Sequence, residues 1–310
     1  MGLSMDSLYS VTLVANRELQ PINKEIIEIT QTLCQTNEYK WLSDHEAIDV
    51  PCLLASSTDN ETNTAQQVHQ SIKKALEDYP IDVFFVSLKS RRKSLLIADM
   101  DSTIVRSETL DDLAAEAGIG EHIAAITRRA MNGELVFEDA LKERISLLKG
   151  LSVSVLEKAW KKTKLNAGAK TLIATMRKHH AYTALVSGGF TFFTERVSAL
   201  CNFDENIANR FSITDDHLDG SVIPPILGKE AKLFHLERLQ KKLNIDRMAT
   251  ITIGDGANDI PMLSRAGLGI AYHPKPVVAK QILNQIFHSD LRAALFAQGY
   301  PASEFVQVKR

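Results

Sequence analysis

The chain has 310 residues, 45% hydrophobic and 24% charged, with 36 basic against 38 acidic side chains and a formal net charge of −2. That composition excludes a disordered chain, supplies apolar material for about two domains and offers no basic excess to attract nucleic acid or an anionic membrane. Cys34, Cys52 and Cys201 are scattered, form no CxxC pair and fit reduced core thiols. The opening MGLSMDSLYS lacks the pattern of a secretory signal, and no apolar stretch approaches the ~18 residues of a membrane helix. A cytoplasmic protein with neither nucleic-acid nor membrane partners is the expectation.

Residues 1–88 read as a small α/β module. Leu8–Ala15 is a strand candidate, and 23–33 places Ile26, Ile27, Ile29 and Leu33 at helical spacing. Short strands follow at 38–42 and 47–54, then a helix at 64–76. Residues 81–88 close the module as a strand rich in β-branched and aromatic side chains. The order β-α-β-β-α-β is ferredoxin-like. The basic run 89–93 reads as a solvated linker.

Residues 94–310 form the second unit. The run 94–99 (SLLIAD) suits a buried parallel strand. About 107–165 turns helical, with Gly118, Gly133 and Gly150 where helices end and Ser154 with Glu157 as a capping box. Helix 169–179, strand 182–186 and helix 191–200 follow. Strands 207–213 and 221–223 flank Asp219-Gly220 as a hairpin. Helix 228–243, strand 249–253, helix 260–266 and strand 268–271 complete an α/β, doubly wound sheet with a helical cap inserted after its first strand.

Three strand-to-loop junctions carry polar residues, and in an open α/β sheet such strand ends converge on one crevice. The first is Asp99-Met100-Asp101-Ser102-Thr103. One carboxylate can attack phosphorus while the other protonates the departing oxygen. A DxD alone more often makes an Asx-turn and helix cap. The second is Ser187-Gly188-Gly189 ahead of a helix, a hydroxyl and freed N–H groups suited to an anion. The third is Gly254-Asp255-Gly256-Ala257-Asn258-Asp259, whose carboxylates suit Mg²⁺ or, more plainly, a turn and N-cap before Pro261. Between them lie Lys229 and Lys232, either of which suits a transferring phosphoryl group.

The order strand–DxDxT, strand–SGG, lysine, strand–GDGxND resembles the haloacid dehalogenase superfamily of phosphatases over about 94–290. With the insertion after the first strand, it is similar to the branch that hydrolyses phosphoserine. The resemblance implies Mg²⁺-dependent hydrolysis of O-phospho-L-serine, the last step of serine biosynthesis, through an aspartyl-phosphate. It implies Asp99 as nucleophile, Asp101 as acid/base, Lys232 between nucleophile and phosphate, and Ser187, Gly188 and Asn258 as substrate contacts. Asp99, Asp255 and the Asp101 carbonyl match the metal ligands, with Thr103 and Asp259 supporting them. In the insertion, Glu108 matches the ammonium binder, Arg144 the carboxylate binder, and Met131 and Phe137 the apolar residues over the serine. The first module resembles an ACT-like regulatory domain. Its first βα loop, 16–21, has no glycine, which favours packing or a homodimer contact over amino-acid sensing. Ala167-Gly168 stands where relatives carry Pro-Gly. The alternatives are another small phosphate ester, transfer to an alcohol, and a phospho-acceptor switch. Asp101 and the insertion weigh against the switch, which needs neither leaving-group acid nor cap.

Overall fold

The computed structural model describes residues 8–16, 18–53, 61–131, 134–228 and 230–308. The chain opens with β1 (Leu8–Ala15), α1 (Lys24–Cys34), β2 (Lys40–Ser43), β3 (Ala47–Leu53), α2 (Glu61–Ala75) and β4 (Ile81–Ser87). The strands form an antiparallel sheet in the order β2-β3-β1-β4, the ferredoxin-like arrangement. Helix α1 starts where the Asn23 side chain accepts the Ile26 N–H and stops at left-handed Gln35. On one sheet face Val11, Leu13, Val83 and Phe85 pack with Ile26, Ile72 and Leu76. On the other, Val14, Phe84 and Val86 join the core of the main body. Covered on both sides, 81–86 is buried throughout, which is why it reads as an unbroken apolar run.

In the basic run 89–93, Lys89 and Arg92 are exposed as a solvated linker would have them, but Arg91 and Lys93 are not. Arg91 holds the Asp49 carboxylate through bonds of 2.7 and 2.6 Å and donates to the Ala297 carbonyl at 3.1 Å. Lys93 is only 3% exposed, and its ammonium donates to the carbonyls of Ser90 and Met248. Nearby, the Asp82 carboxylate accepts the N–H groups of Phe287, His288 and Ser289. These charges serve as contacts between module and body, a use that local sequence does not distinguish from hydration.

His69 is buried in α2, and its Nε2 donates to the Val83 carbonyl at 3.0 Å. Burial lowers its pKa from 6.5 to about 4. Between those values the unfolded chain binds a proton that the folded chain refuses. Stability therefore falls as pH drops from 6.5 toward 4, by about 3 kcal/mol at most. In urea titrations His69→Gln, which keeps a donor but cannot titrate, is expected to lose less stability over that range than the natural chain. Equal losses would contradict this.

The second sheet has β5 (Leu95–Ala98), β6 (Tyr182–Phe190), β7 (Glu205–Thr214), β8 (His217–Ile223), β9 (Thr250–Gly254), β10 (Leu268–Tyr272) and β11 (Gln285–Ile286). Their order is β11-β10-β9-β5-β6-β7-β8, parallel except for β7-β8. Fully buried β5 lies between β9 and β6, with Ala98 opposite both Ile253 and Leu185. This places the three polar junctions side by side.

Helices α3 (Thr109–Glu116), α4 (Gly120–Met131), α5 (Phe137–Ser146) and α6 (Ser154–Lys162) form the cap. The chain returns through a Val105–Leu165 bridge to α7 (Ala169–Lys178). There follow α8 (Thr191–Cys201), α9 (Ala231–Leu243), α10 (Ile260–Arg265), α11 (Pro276–Ala279) and α12 (Ala293–Ala297). Gly168 caps α7 at φ +80°, and a Cβ there would meet the Arg292 nitrogen at 2.7 Å. The glycine of that turn is required even where its neighbour is Ala167. Among the described residues no helix is long and apolar enough to cross a membrane.

Two local expectations are corrected. The β7-β8 hairpin turns at Asp215 and Asp216, both at positive φ, while Asp219-Gly220 lies inside β8, where Asp219 accepts the Ser212 hydroxyl. Ser154 does not form a capping box: it is the first residue of α6, and its N–H donates to the Ser152 hydroxyl.

Candidate active site

Asp99 follows β5, its N–H donating to the Ile253 carbonyl of β9 at 2.9 Å. The chain then makes a wide turn over Met100–Ile104, with Ser102 at φ 54° and the Val105 N–H returning to the Met100 carbonyl. The Lys232 ammonium, near the start of α9, lies 2.6 Å from Asp99 Oδ1 and 2.5 Å from Asp259 Oδ1. Asp259 Oδ2 accepts the N–H groups of Asp255 and Gly256 at 3.1 and 3.0 Å. Its carboxyl carbon sits 2.4 Å from where a Cβ on Gly254 would be, so the close approach demands glycine in that motif.

Ser187, Gly188 and Gly189 occupy an irregularity in β6, where pairing with β7 jumps from Val186 to Phe190. The Ser187 hydroxyl accepts the Gly189 N–H at 2.8 Å and donates to Asp101 Oδ2 at 3.2 Å. Asp101 Oδ1 accepts the Thr109 N–H of α3 at 2.8 Å. The second carboxylate thus ties the core to the first cap helix.

The charges explain the titration. Burial raises Asp101 to about 6 and the Glu108 charge adds to it, against the Thr109 N–H and Lys232. Burial also raises Asp99, opposed by Lys232. Burial works against the Lys232 ammonium, but Asp259 and Asp99 outweigh it and hold the lysine charged. Oxygens of Asp99, Asp255 and Asp259 lie within 4.8 Å of one another. Both Asp259 oxygens are already bonded within the protein, so Asp99 and Asp255 have oxygen to offer a cation. Asp259 is the brace beneath them.

In the cap, Glu108 Oε1 accepts the Ser102 hydroxyl at 2.8 Å. Arg144 on α5 is half-buried, its Nε donating to the Ala140 carbonyl; burial lowers its pKa while the Asp111 and Glu108 charges raise it. Both residues therefore lie in the same acidic neighbourhood as the junctions. The side chains of Met131 and Phe137 lie outside the described residues, as does Lys229. Asn258 is half-buried in the turn that carries Asp259. Gly188 is fixed by its carbonyl, which accepts from Asn209. Thr103 is fully buried beneath the loop, its carbonyl accepting from Asn166.

Two participants are absent from the sequence reading. Lys275 stands after β10 with its ammonium 3.3 Å from Asp255 Oδ2 and 3.7 Å from Glu108 Oε1, linking core to cap. Its signal was a fourth strand-to-loop junction, Tyr272-His273-Pro274-Lys275, on the same sheet edge. Asn209 in β7 holds Gly188 on one side and the Leu227 N–H on the other, and nothing in the local sequence marks it.

The motif order and this geometry agree with a match of residues 96–264 to the haloacid dehalogenase-like hydrolases, and the chain belongs to that family. Within it, the relatives it matches include phosphoserine phosphatases. It is 41% identical over 202 residues to that of Streptococcus thermophilus, covering 65% of this chain and 94% of the relative. It is 38% identical over 216 residues to that of Archaeoglobus fulgidus, covering 69% of this chain and 63% of that protein's length. A family hydrolase of known structure from Salmonella enterica serovar Typhi superposes with a TM-score of 0.80 at 28% identity, over 94% of this chain and 98% of the other.

Proposed function

We propose that the chain hydrolyses O-phospho-L-serine to serine and phosphate, with Asp99 as nucleophile. The observation that carries the reading is Lys232 joined at once to Asp99 and Asp259, with Asp101 poised next to them at adjacent strand ends. Relatives 38% and 41% identical to this chain carry that activity in their names.

Lys232 holds Asp99 Oδ1 and leaves Oδ2 without a protein partner among the described residues, free to attack phosphorus. Asp101, raised to about 6, gives its proton to the seryl oxygen as the P–O bond breaks, and serine leaves. The same carboxylate then takes a proton from water, which attacks phosphorus and releases phosphate from Asp99. Lys232, the Ser187 hydroxyl and the Gly188 backbone neutralise charge on the phosphoryl oxygens. Glu108 takes the substrate ammonium and Arg144 its carboxylate, the planar guanidinium suiting a bidentate pair. The oxygen donors of Asp99 and Asp255 with the Asp101 carbonyl fit a hard divalent ion, and Mg²⁺ there supplies charge neutralisation at the phosphoryl group. Thr103 and Asp259 support that loop. Residues 94–310 carry the chemistry, with the cap at about 107–165, and 1–88 are a module packed against them.

Phosphate release across phosphoserine, phosphothreonine, glycerol phosphate and an aryl phosphate tests the reading. Phosphoserine is expected to exceed the others by at least tenfold in kcat/KM. EDTA is expected to abolish turnover and Mg²⁺ to restore it. Turnover of phosphoserine no faster than the rest, or unaffected by EDTA, would overturn the assignment.

A further inference from the structure

The crevice at the strand ends gathers Asp99, Asp101, Asp255 and Asp259 from the core and Glu108 from the cap. Lys232 is committed to Asp99 and Asp259. Asp255 and Glu108 are left, and among the described residues a single cation is ion-paired to them. It is Lys275, whose ammonium lies 3.3 Å from Asp255 Oδ2 and 3.7 Å from Glu108 Oε1.

The chain fixes the root of this lysine. Its N–H donates to the Asp255 carbonyl at 3.0 Å, and its own carbonyl accepts the N–H groups of Val278 and Ala279 at 2.9 and 3.0 Å as α11 begins. Two residues earlier, the His273 N–H donates to the Ile286 carbonyl at 2.8 Å. The backbone is thus anchored beside Asp255, while the flexible four-carbon stem, 45% exposed, has solvent to swing into.

Asp255 and Glu108 are the acids proposed above for two incoming cations, the divalent ion and the substrate ammonium. Lys275 faces both. Its tethered ammonium is a compact point charge of the same kind as the substrate's, and it takes up carboxylate oxygen that each incoming cation uses. Resting on that assignment, we propose that Lys275 is a built-in competitor for both cations, lowering the affinity of Asp255 for the divalent ion and of Glu108 for the substrate ammonium. The effect is larger at Asp255, whose side chain is 7% exposed and little screened by water, than at the half-solvated Glu108.

Two measurements on the full chain test this. The first is Mn²⁺ binding without substrate, followed by electron paramagnetic resonance with Mg²⁺ as competitor. Lys275→Met, which removes the charge and keeps the length of the stem, is expected to tighten Mg²⁺ about fivefold or more. The second compares phosphoserine with its deamino analogue, 3-phosphonooxypropanoate. The two esters differ only in the ammonium, so the ratio of their kcat/KM values cancels the general pull of a lysine on an anion. That ratio should rise about threefold in Lys275→Met. Lys275→Gln should behave like Lys275→Met, and Lys275→Arg, which keeps a charge, should tighten neither cation; thermal melts confirm that each variant is folded. The proposal is overturned if Mg²⁺ binding is unchanged or weaker in the two uncharged variants, or if the ratio stays level or falls, a fall making Lys275 a support for Glu108 instead. If the natural chain binds neither metal, or turns over the two esters alike, the assignment of Asp255 or Glu108 fails first, and the competition at that acid with it.

Discussion

Asp99→Asn is expected to release phosphate from phosphoserine on the order of 10⁴-fold more slowly or worse, the scale seen when an enzyme loses its nucleophile. The amide has nearly the carboxylate's shape, and its electron pair is too weakly basic to displace the seryl oxygen. The fold should survive the change. Lys232 keeps its partner Asp259 at 2.5 Å, and the Asp259 bonds to Asp255 and Gly256 do not involve residue 99. Initial rates with Mg²⁺, alongside a thermal melt to confirm folding, give the result. A folded variant with near-normal turnover would remove Asp99 from the chemistry.

Arg144→Ala tests the substrate instead of the reaction. If its guanidinium takes the substrate carboxylate, kcat/KM for phosphoserine should fall about 100-fold or more, while an aryl phosphate that lacks a carboxylate changes by no more than about threefold. Arg144→Lys should recover only part of the loss, because an ammonium cannot make the paired bonds. The neighbouring charges set the background: Asp111 and Glu108 both face Arg144, so its removal also leaves two acids less compensated. That electrostatic cost acts on both substrates alike. Equal losses on the two would make Arg144 a structural residue of the cap.

The catalytic half of the molecule was legible because its signals are local. A run such as 95–98 is buried on all sides, and the polar residues that follow it leave the sheet together; once β5 lies between β6 and β9, the junctions at Asp99, Ser187 and Asp255 become neighbours. Lys232 was legible only through motif order, since a lysine near the start of a helix is ordinarily solvated. What the sequence hid depends on contacts distant along the chain. Arg91 and Lys93 resemble any basic linker until Asp49, 42 residues away from Arg91, and the Met248 carbonyl meet them. Helix α12, only Ala293–Ala297, has too few residues to show a period and is buried wholly by neighbours from elsewhere, β1, β4 and α7 among them. The hairpin misled because Asp-Gly is a strong turn signal; the two aspartates before it take the positive φ angles instead. Lys275 was hidden because its partners, Asp255 and Glu108, come from the core and the cap.

The most direct test is to trap the covalent step in the natural enzyme. Mixed with phosphoserine and Mg²⁺, quenched in acid within one turnover and reduced with borohydride, the protein should yield homoserine at position 99 on peptide mapping, and Asp101 and Asp255 should remain aspartate. Phosphate released with no modification at 99, or modification at another carboxylate, would contradict the mechanism.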